Sequence, residues 1–390
     1  MISVAQALDA VFALVRPVGT EVVPLARAAG RVMAGPAEAR RDQPPFAASA
    51  MDGYALAGDP ATSGTSLPVV GEAAAGHGYS GKLGAGQALR IFTGAPLPDG
   101  ADRVVIQENV QRAGARIRLD TDVAPGANIR PAAGDFAAGD IFRPARPLGP
   151  SDLALLAAMN QASVTVARRP DVALIATGDE LVLPGETPGP DQIVASNIFG
   201  LQALVAANGG TARILPVARD NLDALRGVFA LAAGADLIVT IGGASVGDHD
   251  LVAEAAAQDG LRRSFYKVAM RPGKPLMAGH MGRAAMLGLP GNPVSAMVCG
   301  HVFLVPALRA MQGLAAEPAP RQTARLRGAL PANGPREHYM RARVDDGILT
   351  AFASQDSALL SVLSQANALL VRPPDTPPLQ DGASVAWIAV

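Results

Sequence analysis

The residues best suited to chemistry stand just past apolar runs. Ala235–Ile241 leads directly into G-G-A-S-V-G-D-H-D, residues 242–250. Glycines such as Gly242 and Gly243, with Ser245 beside them, let bare backbone approach an anionic ligand, while Asp248 or Asp250 can hold a cation. Lys267, then R-P-G-K-P at 271–275 and L-P-G-N-P-V-S at 289–295, follow within a few dozen residues. Upstream lie T-G-D-E at 177–180 and Arg219-Asp220. Acids mixed with bases on a glycine-rich rim suit a phosphate ester or oxyanion held with Mg²⁺. Carboxylates take the hard cation, and Lys, Arg and backbone N–H groups take the anion. Pro293 suits a first helical position, so Ser295 and nearby N–H groups can face the anion.

From residue 171 the pattern alternates between strand and helix. Strands are expected at Val172–Ala176, Arg213–Val217, Asp236–Ile241, Phe265–Ala269, Pro275–Ala278 and Ala284–Leu287. Helices are expected from a Ser196 cap to about Ala207, from Asn221 to about Ala233, and at Leu251–Gln258 and Val294–Met311. Such alternation predicts a mostly parallel sheet with helices on both faces. Ligands of open α/β sheets bind beyond the carboxyl ends of the strands. Asp179, Glu180, Asp220, Asp248 and Asp250 would then converge beside Lys267, Arg271 and Lys274. Each has a plainer reading, Asp220 as a helix N-cap and Thr177 with Asp179 as an Asx-type turn. Recurrence at successive strand ends is what favours a site.

Elsewhere the rhythm differs. Residues 1–16 fit an amphipathic helix through Val4, Leu8, Val11, Phe12 and Val15, stopped by Pro17 and Gly19. Residues 20–170 read as short strands with many turns, including Ala88–Phe92, Asp102–Ile106 and Arg116–Leu119, plus one helix, Ser151–Met159, capped by Ser151. A linker at 313–322 precedes further short strands, Tyr339–Val344, Gly347–Phe352, Ala368–Val371 and Val385–Ala389.

The 390 residues suffice for two to four domains, and 49% apolar content supports substantial cores. A net charge of −1 and 4% aromatic residues argue against nucleic-acid or anionic-membrane binding. Cys299 alone cannot form an internal disulfide and reads as a buried thiol; no Cys/His cluster resembles a zinc site. Pro306 and Arg309 interrupt the best candidate for a membrane span, and Asp9 in the N-terminal helix argues against a signal peptide. A soluble, cytoplasmic protein is expected. G-H-G-Y-S-G at 76–81 lacks a βαβ context, and Gly273-Lys274 is followed by proline, so neither a dinucleotide fingerprint nor a P-loop is present.

G-G-A-S-V-G-D-H-D, M-R-P-G-K-P and G-L-P-G-N-P-V-S together resemble the bacterial molybdopterin molybdenumtransferase family, related to the E domain of gephyrin. S-A-M-D-G-Y-A (49–55), I-F-T-G-A-P-L-P-D-G-A-D (91–102), N-I-R-P-A-A-G-D (128–135) and A-T-G-D-E-L (176–181) extend the resemblance over nearly the whole chain. It implies α/β plus β architecture in four parts. These are an extended linking domain (19–44 and 139–168), a small β-domain (45–138), a three-layer α/β molybdopterin-binding domain (1–18 and 169–314) and a C-terminal β-barrel (315–390).

The implied activity is Mg²⁺-dependent insertion of molybdate into adenylylated molybdopterin with release of AMP, in a cytoplasmic homodimer. The adenylyltransferase and apo-molybdoenzymes are implied as further partners. Carried over by position, Asp250 and Glu180 would place Mg²⁺ and the pyrophosphate, with Asp220 nearby. Lys267, Arg271 and Lys274 would bind phosphates or molybdate, and Pro275, Ser295, Arg341 and Ser357 would form the oxyanion pocket. Asp52, Thr93 and Asp135 match functional positions of the small β-domain, reaching the cleft from the partner subunit. Arg271 stands where lysine is usual, His249 where an aromatic is common and Ala195 where an acid is common. The α/β motif also occurs in the molybdopterin adenylyltransferase, and a non-catalytic scaffold is the remaining alternative. The roughly 170 residues before the α/β block favour insertion.

Overall fold

The computed structural model describes residues 1–242, 255 and 261–390. The chain divides into two compact units, one of residues 1–21, 30–34 and 166–390, the other of residues 22–29 and 35–165.

In the larger unit, α1 (Val4–Leu14) opens on a capping box. Gln6 N donates to Ser3 Oγ (3.1 Å) and Ser3 N donates to Gln6 Oε1 (2.9 Å), satisfying two otherwise unpaired amides. The elements that follow are β1 (Asp171–Ala176), α2 (Asn197–Ala207), β2 (Thr211–Ile214), α3 (Leu222–Leu231) and β3 (Leu237–Ile241). After them come β4 (Leu261–Tyr266), β5 (Met277–Met281) and β6 (Ala284–Leu289). The sheet order is β2-β1-β3-β6-β5-β4, with β2, β1, β3 and β6 parallel and β5 and β4 antiparallel at one edge. A mostly parallel sheet was the expectation, and it holds.

Boundaries moved where proline or capping decided them. The strand expected at Arg213–Val217 is Thr211–Ile214, ending before Pro216, which cannot donate to a ladder. The one expected at Phe265–Ala269 is the antiparallel edge strand Leu261–Tyr266. Asn221, not Asp220, caps α3, its side chain accepting from Ala224 N at 2.9 Å. Ser196 precedes α2 but makes no capping bond. The expected helix Leu251–Gln258 lies outside the described residues except for buried Ala255.

Alternate strand residues face opposite layers, as the two-residue period requires. Val172, Leu174, Leu237, Val239 and Leu287 join a core with α1, α2 and the long helix. Ala173, Ile175, Ile238 and Met286 face Leu225 and Phe229 of α3. The long helix spans Pro293–Met311 without a break. Pro306 cannot donate to Val302 and its ring would press on that carbonyl, so the helix widens into a π-turn over Gly300–Leu304. The expectation that Pro306 and Arg309 interrupt this apolar segment is therefore corrected. It is 19 residues long with a mean hydropathy of 1.6, enough by length and composition to cross a membrane, but 78% of that window is buried as a core helix.

Beyond it, β7 (Gln322–Leu326), β8 (Glu337–Asp345), β9 (Ile348–Ala351), β10 (Ala368–Arg372) and β11 (Ser384–Ala389) close into a barrel in the order β8-β9-β7-β11-β10-β8. Tyr339, Leu369, Val371 and Ile388 of the barrel share the core of α1 and the long helix. The short strand Met270–Arg271 adds to this barrel, pairing in parallel with Glu337 and His338 of β8.

The smaller unit holds a six-stranded sheet in which Gly53–Leu56 lies between Ala88–Ile91 and the edge strand Arg103–Ile106. Its helix is Pro150–Ala158. Gly149, not Ser151, occupies the N-cap, and its N–H donates to Asp152 at 2.7 Å.

Phe303 is fully buried where the helix meets both the sheet and the barrel. Phe303→Ala is expected to lower the stability of the larger unit by about 3–5 kcal/mol in chemical denaturation, because no small shift refills a cavity bounded on all sides.

Candidate functional site

A groove of about 580 Å³ opens beyond the carboxyl ends of β1, β3 and β6, lined among others by Thr177, Glu180, Asp220, Gly242, Pro275 and Asn292. Parallel pairing places Ala176 beside Ile241 and Ile241 beside Leu289, so three loops leave the sheet at one level. Thr177 N donates to Ile241 O (3.0 Å), Gly178 N to Ala218 O (3.1 Å) and Gly242 N to Leu289 O (3.1 Å), extending the ladder into the loops.

Glycine is required at two rim positions. Gly242 has φ +96°, and a Cβ there would sit 2.6 Å from Thr177 O. Its amide is already bonded to Leu289, so Gly242 shapes the rim and offers no donor to a ligand. That corrects the reading of Gly242 as part of an anion cradle. At Gly178 a Cβ would strike the Glu180 carboxylate, which folds back over it. Gly243, Ser245, Asp248, His249 and Asp250 lie outside the described residues.

Two acids, Glu180 and Asp220, line the groove, with Asp179 close to Asp220. Asp179 Oδ1 accepts from Asp220 N (3.2 Å), and Asp179 O accepts from Arg219 Nη1 (2.6 Å). Partial desolvation, then the charges of Asp179 and Glu180, push the Asp220 carboxyl above its ordinary range. Among the described residues no group of three or more His, Cys, Asp or Glu is arranged to hold a metal ion. Asp179 and Glu180 nevertheless add to the burial that raises the Asp220 pKa, and carboxylate oxygens are the donors that Mg²⁺ prefers. Glu180 and Asp220 fit a Mg²⁺ ion completed by ligands from elsewhere.

The expected cations stand on the chain between β4 and β5, of which Pro275 lines the groove while Lys267, Arg271 and Lys274 do not. Lys267 is left-handed at φ +73°, its N–H bonded to Leu276 O (3.0 Å) and its carbonyl accepting from Ile2 N (3.2 Å). Its ammonium lies 5.1 Å from the centre of the Tyr266 ring. An unusual backbone and a ring platform thus aim one lysine; Tyr266 and Ile2 carried no signal in the sequence. Arg271 and Lys274 are exposed. Gly273 between them has φ +108°, and a Cβ would sit 2.5 Å from Cys299 Sγ and 3.1 Å from Met270 Sδ. Cys299 is fully buried, as expected, and burial pushes its thiol far above the usual range. Its task is to seat the R-P-G-K-P loop.

Around the start of the long helix, Val294 N donates to Ser357 O (3.0 Å) and Asn292 Nδ2 to Ser357 Oγ (3.2 Å). One amide expected to face an anion is therefore occupied by the protein itself, while Ser295 is buried in the first turn. Asn292, whose only signal was its place before Pro293, ties the helix to the Ser357 loop. Asn197 Nδ2 reaches Gly291 O (2.7 Å) from α2. Arg341 is 1% exposed, and its guanidinium donates to Leu359 O (3.2 Å) and Ser354 O (3.3 Å). Burial lowers its pKa against the pull of Asp356. Arg341 here braces the loop that carries Ser357.

In the smaller unit, Asp52 Oδ1 accepts from Thr93 N (2.8 Å) and Thr93 Oγ1 (2.7 Å). Those bonds, with Arg90 nearby, hold the Asp52 carboxyl below its ordinary range. Asp135 is exposed, its N–H bonded to Gln43 O (2.9 Å), and no described hydrogen bond joins its carboxylate to Asp52 or Thr93.

Two outcomes follow from this geometry. Gly273→Ala should cost about 2 kcal/mol or more by chemical denaturation, and Cys299→Ala should offset part of that loss in the double variant, since the two side chains collide. Asp220 has a raised folded-state pKa, so its ionised form opposes folding. Asp220→Asn should raise the Tm of Mg²⁺-free protein at neutral pH, and the gain should vanish as the pH falls through the range where the wild-type carboxyl protonates.

Comparison with known proteins shows the family of the chain. Residues 2–160 match the MoeA N-terminal region (domain I and II), 173–310 a probable molybdopterin binding domain, and 323–390 the MoeA C-terminal region (domain IV). A molybdopterin molybdenumtransferase of Nostoc sp. is 39% identical over 371 residues, covering 91% of this chain and 85% of its own. Molybdopterin molybdenumtransferase 2 of Mycobacterium tuberculosis is 34% identical over 367 residues, covering 90% and 91%. The crystal structure of a molybdopterin biosynthesis moeA protein from Pyrococcus horikoshii OT3 superimposes with a TM-score of 0.88 at 27% identity, covering all of both chains. The chain belongs to the molybdopterin molybdenumtransferase family, transferases of molybdenum cofactor biosynthesis.

Proposed function

We propose that this chain inserts molybdate into adenylylated molybdopterin and releases AMP, with Mg²⁺ as its metal. The observation that carries the reading is a single groove lined by Glu180, Asp220 and Pro275, whose chain neighbour Lys274 is exposed. A substrate with a phosphoanhydride and an incoming tetrahedral dianion needs both kinds of group at once.

In this reading Glu180, Asp220 and Asp250 would hold Mg²⁺, and the ion would supply charge neutralisation at the phosphoanhydride. Lys267, Arg271 and Lys274 hold the anions, with no acceptor atoms to compete for the ligand. Pro275, Ser295 and Ser357 shape the molybdate pocket, and Arg341 positions Ser357. The two dithiolene thiols would each form a bond to molybdenum while molybdate loses one oxo ligand as water, which carries away both thiol protons. Water would cleave the phosphoanhydride P–O bond to release AMP and leave the phosphate on molybdopterin. Gly243 and Ser245 are assigned to substrate binding in the same reading. The working form is a cytoplasmic homodimer in which Asp52, Thr93 and Asp135 of residues 45–138 complete the second subunit's cleft. The adenylyltransferase would supply the substrate, and apo-molybdoenzymes would accept the product.

The decisive experiment incubates the protein with adenylylated molybdopterin, Mg²⁺ and molybdate, then measures AMP and the reconstitution of an apo-molybdoenzyme. Asp250→Ala and Glu180→Gln should each lower kcat by about 100-fold or more. ATP consumption with free molybdopterin, in place of molybdate-dependent AMP release, would assign the adenylyltransferase activity instead. Cofactor formation that survives Asp250→Ala would favour the scaffold. Mixing Asp52→Ala with Asp250→Ala subunits should restore about a quarter of wild-type activity, because half of the randomly mixed dimers carry one intact site of two.

A further inference from the structure

Beside the groove lies a second, mostly apolar pocket of about 410 Å³, between α2, the long helix and the short helix Leu360–Leu363. Ser196 and Asn197 line both spaces, so the pocket continues the groove. Its walls include Met297, Leu363, Ala366 and Val390, and it holds one ionisable side chain, His301. At Gly200 a Cβ would lie 2.8 Å from Met297 Sδ, so glycine lets α2 and the long helix close the pocket floor.

His301 stands in the π-turn. Its imidazole has no hydrogen-bond partner among the described residues. Burial lowers its pKa to about 4, so at neutral pH it offers one N–H and one acceptor nitrogen without charge.

We propose that this pocket receives the pterin ring of the substrate, with His301 bonding its polar edge. The inference rests on the activity proposed above and deepens it. Molybdate is to be joined at the dithiolene, and the pterin is fused to the ring that bears it. The ring system must therefore lie within one fused ring of the Ser357 loop. Ser357 is held on Asn292, and three residues later the chain enters the pocket wall at Leu360. A flat, uncharged heterocycle with alternating donors and acceptors suits apolar walls and one neutral imidazole. The adenylyl end carries the phosphates and belongs with the acids at the opposite end of the groove.

The test uses the full-length protein and neopterin, a pterin without dithiolene or phosphate, in equilibrium dialysis. Wild type should bind neopterin, and adenosine in excess should not displace it. Ala366→Trp, which fills the pocket, and His301→Gln, which keeps a polar group of similar size, should each weaken neopterin at least tenfold and leave adenosine binding unchanged. In the AMP-release assay both should raise KM for the adenylylated substrate with little change in kcat. Displacement by adenosine, absence of neopterin binding to wild type, or unchanged binding in both folded variants overturns the pterin subsite. Variant-sensitive neopterin binding by a wild type that releases no AMP upholds the subsite and overturns the activity.

Discussion

Parallel register between β1, β3 and β6 is the constraint on which the rest of the site depends. Because Ala176, Ile241 and Leu289 end level, T-G-D-E, the glycine loop and P-G-N-P all emerge on one rim. A slip by one residue would exchange the core faces of a strand and carry its loop away from the others. Leu174 and Val239 are fully buried on one face and Ala173 and Ile175 on the other, so no slipped register buries the same set. The apolar content of the strands thus acts at a distance, as the positioning of carboxylates.

The cationic side depends on a different device. The chain after β4 belongs at once to the sheet and to the barrel, since Met270–Arg271 pairs with β8 while Lys267 bonds to Leu276 and Ile2. Gly273 rests on Cys299 in the long helix. That helix is in turn packed between the sheet core and the barrel residues Tyr339, Leu369 and Ile388. Displacing Lys267 or Lys274 would therefore disturb contacts in three elements. Side chains on an irregular segment stay in place because the surrounding packing over-determines it.

Charge is distributed to match. Partial burial, then the neighbouring acids, raises the pKa of Asp220, and burial lowers that of Arg341, which rests on backbone carbonyls. Both are costs to the free protein. Thr177 Oγ1 lies buried at the groove wall without a hydrogen bond, a further polar group left unsatisfied there. A site that carries such costs in its free state gains specificity for a ligand of mixed charge.

The amino-acid sequence by itself determined the alternation of strands and helices, the parallel sheet, the terminal β-domain and the position of Glu180 and Asp220 past strand ends. These follow from local periodicity, from glycine and proline punctuation and from motifs long enough to be specific. It did not determine which amides remain open to a ligand, for Gly242 and Val294 both proved to be bonded within the protein. Nor did it show that Asn221 rather than Asp220 caps α3, that Pro306 makes a π-turn rather than an end, or that Arg341 braces the Ser357 loop. Each of these turns on a competition between partners far apart in the chain. Only the tertiary structure decides which of two chemically able groups stands close enough to form the bond.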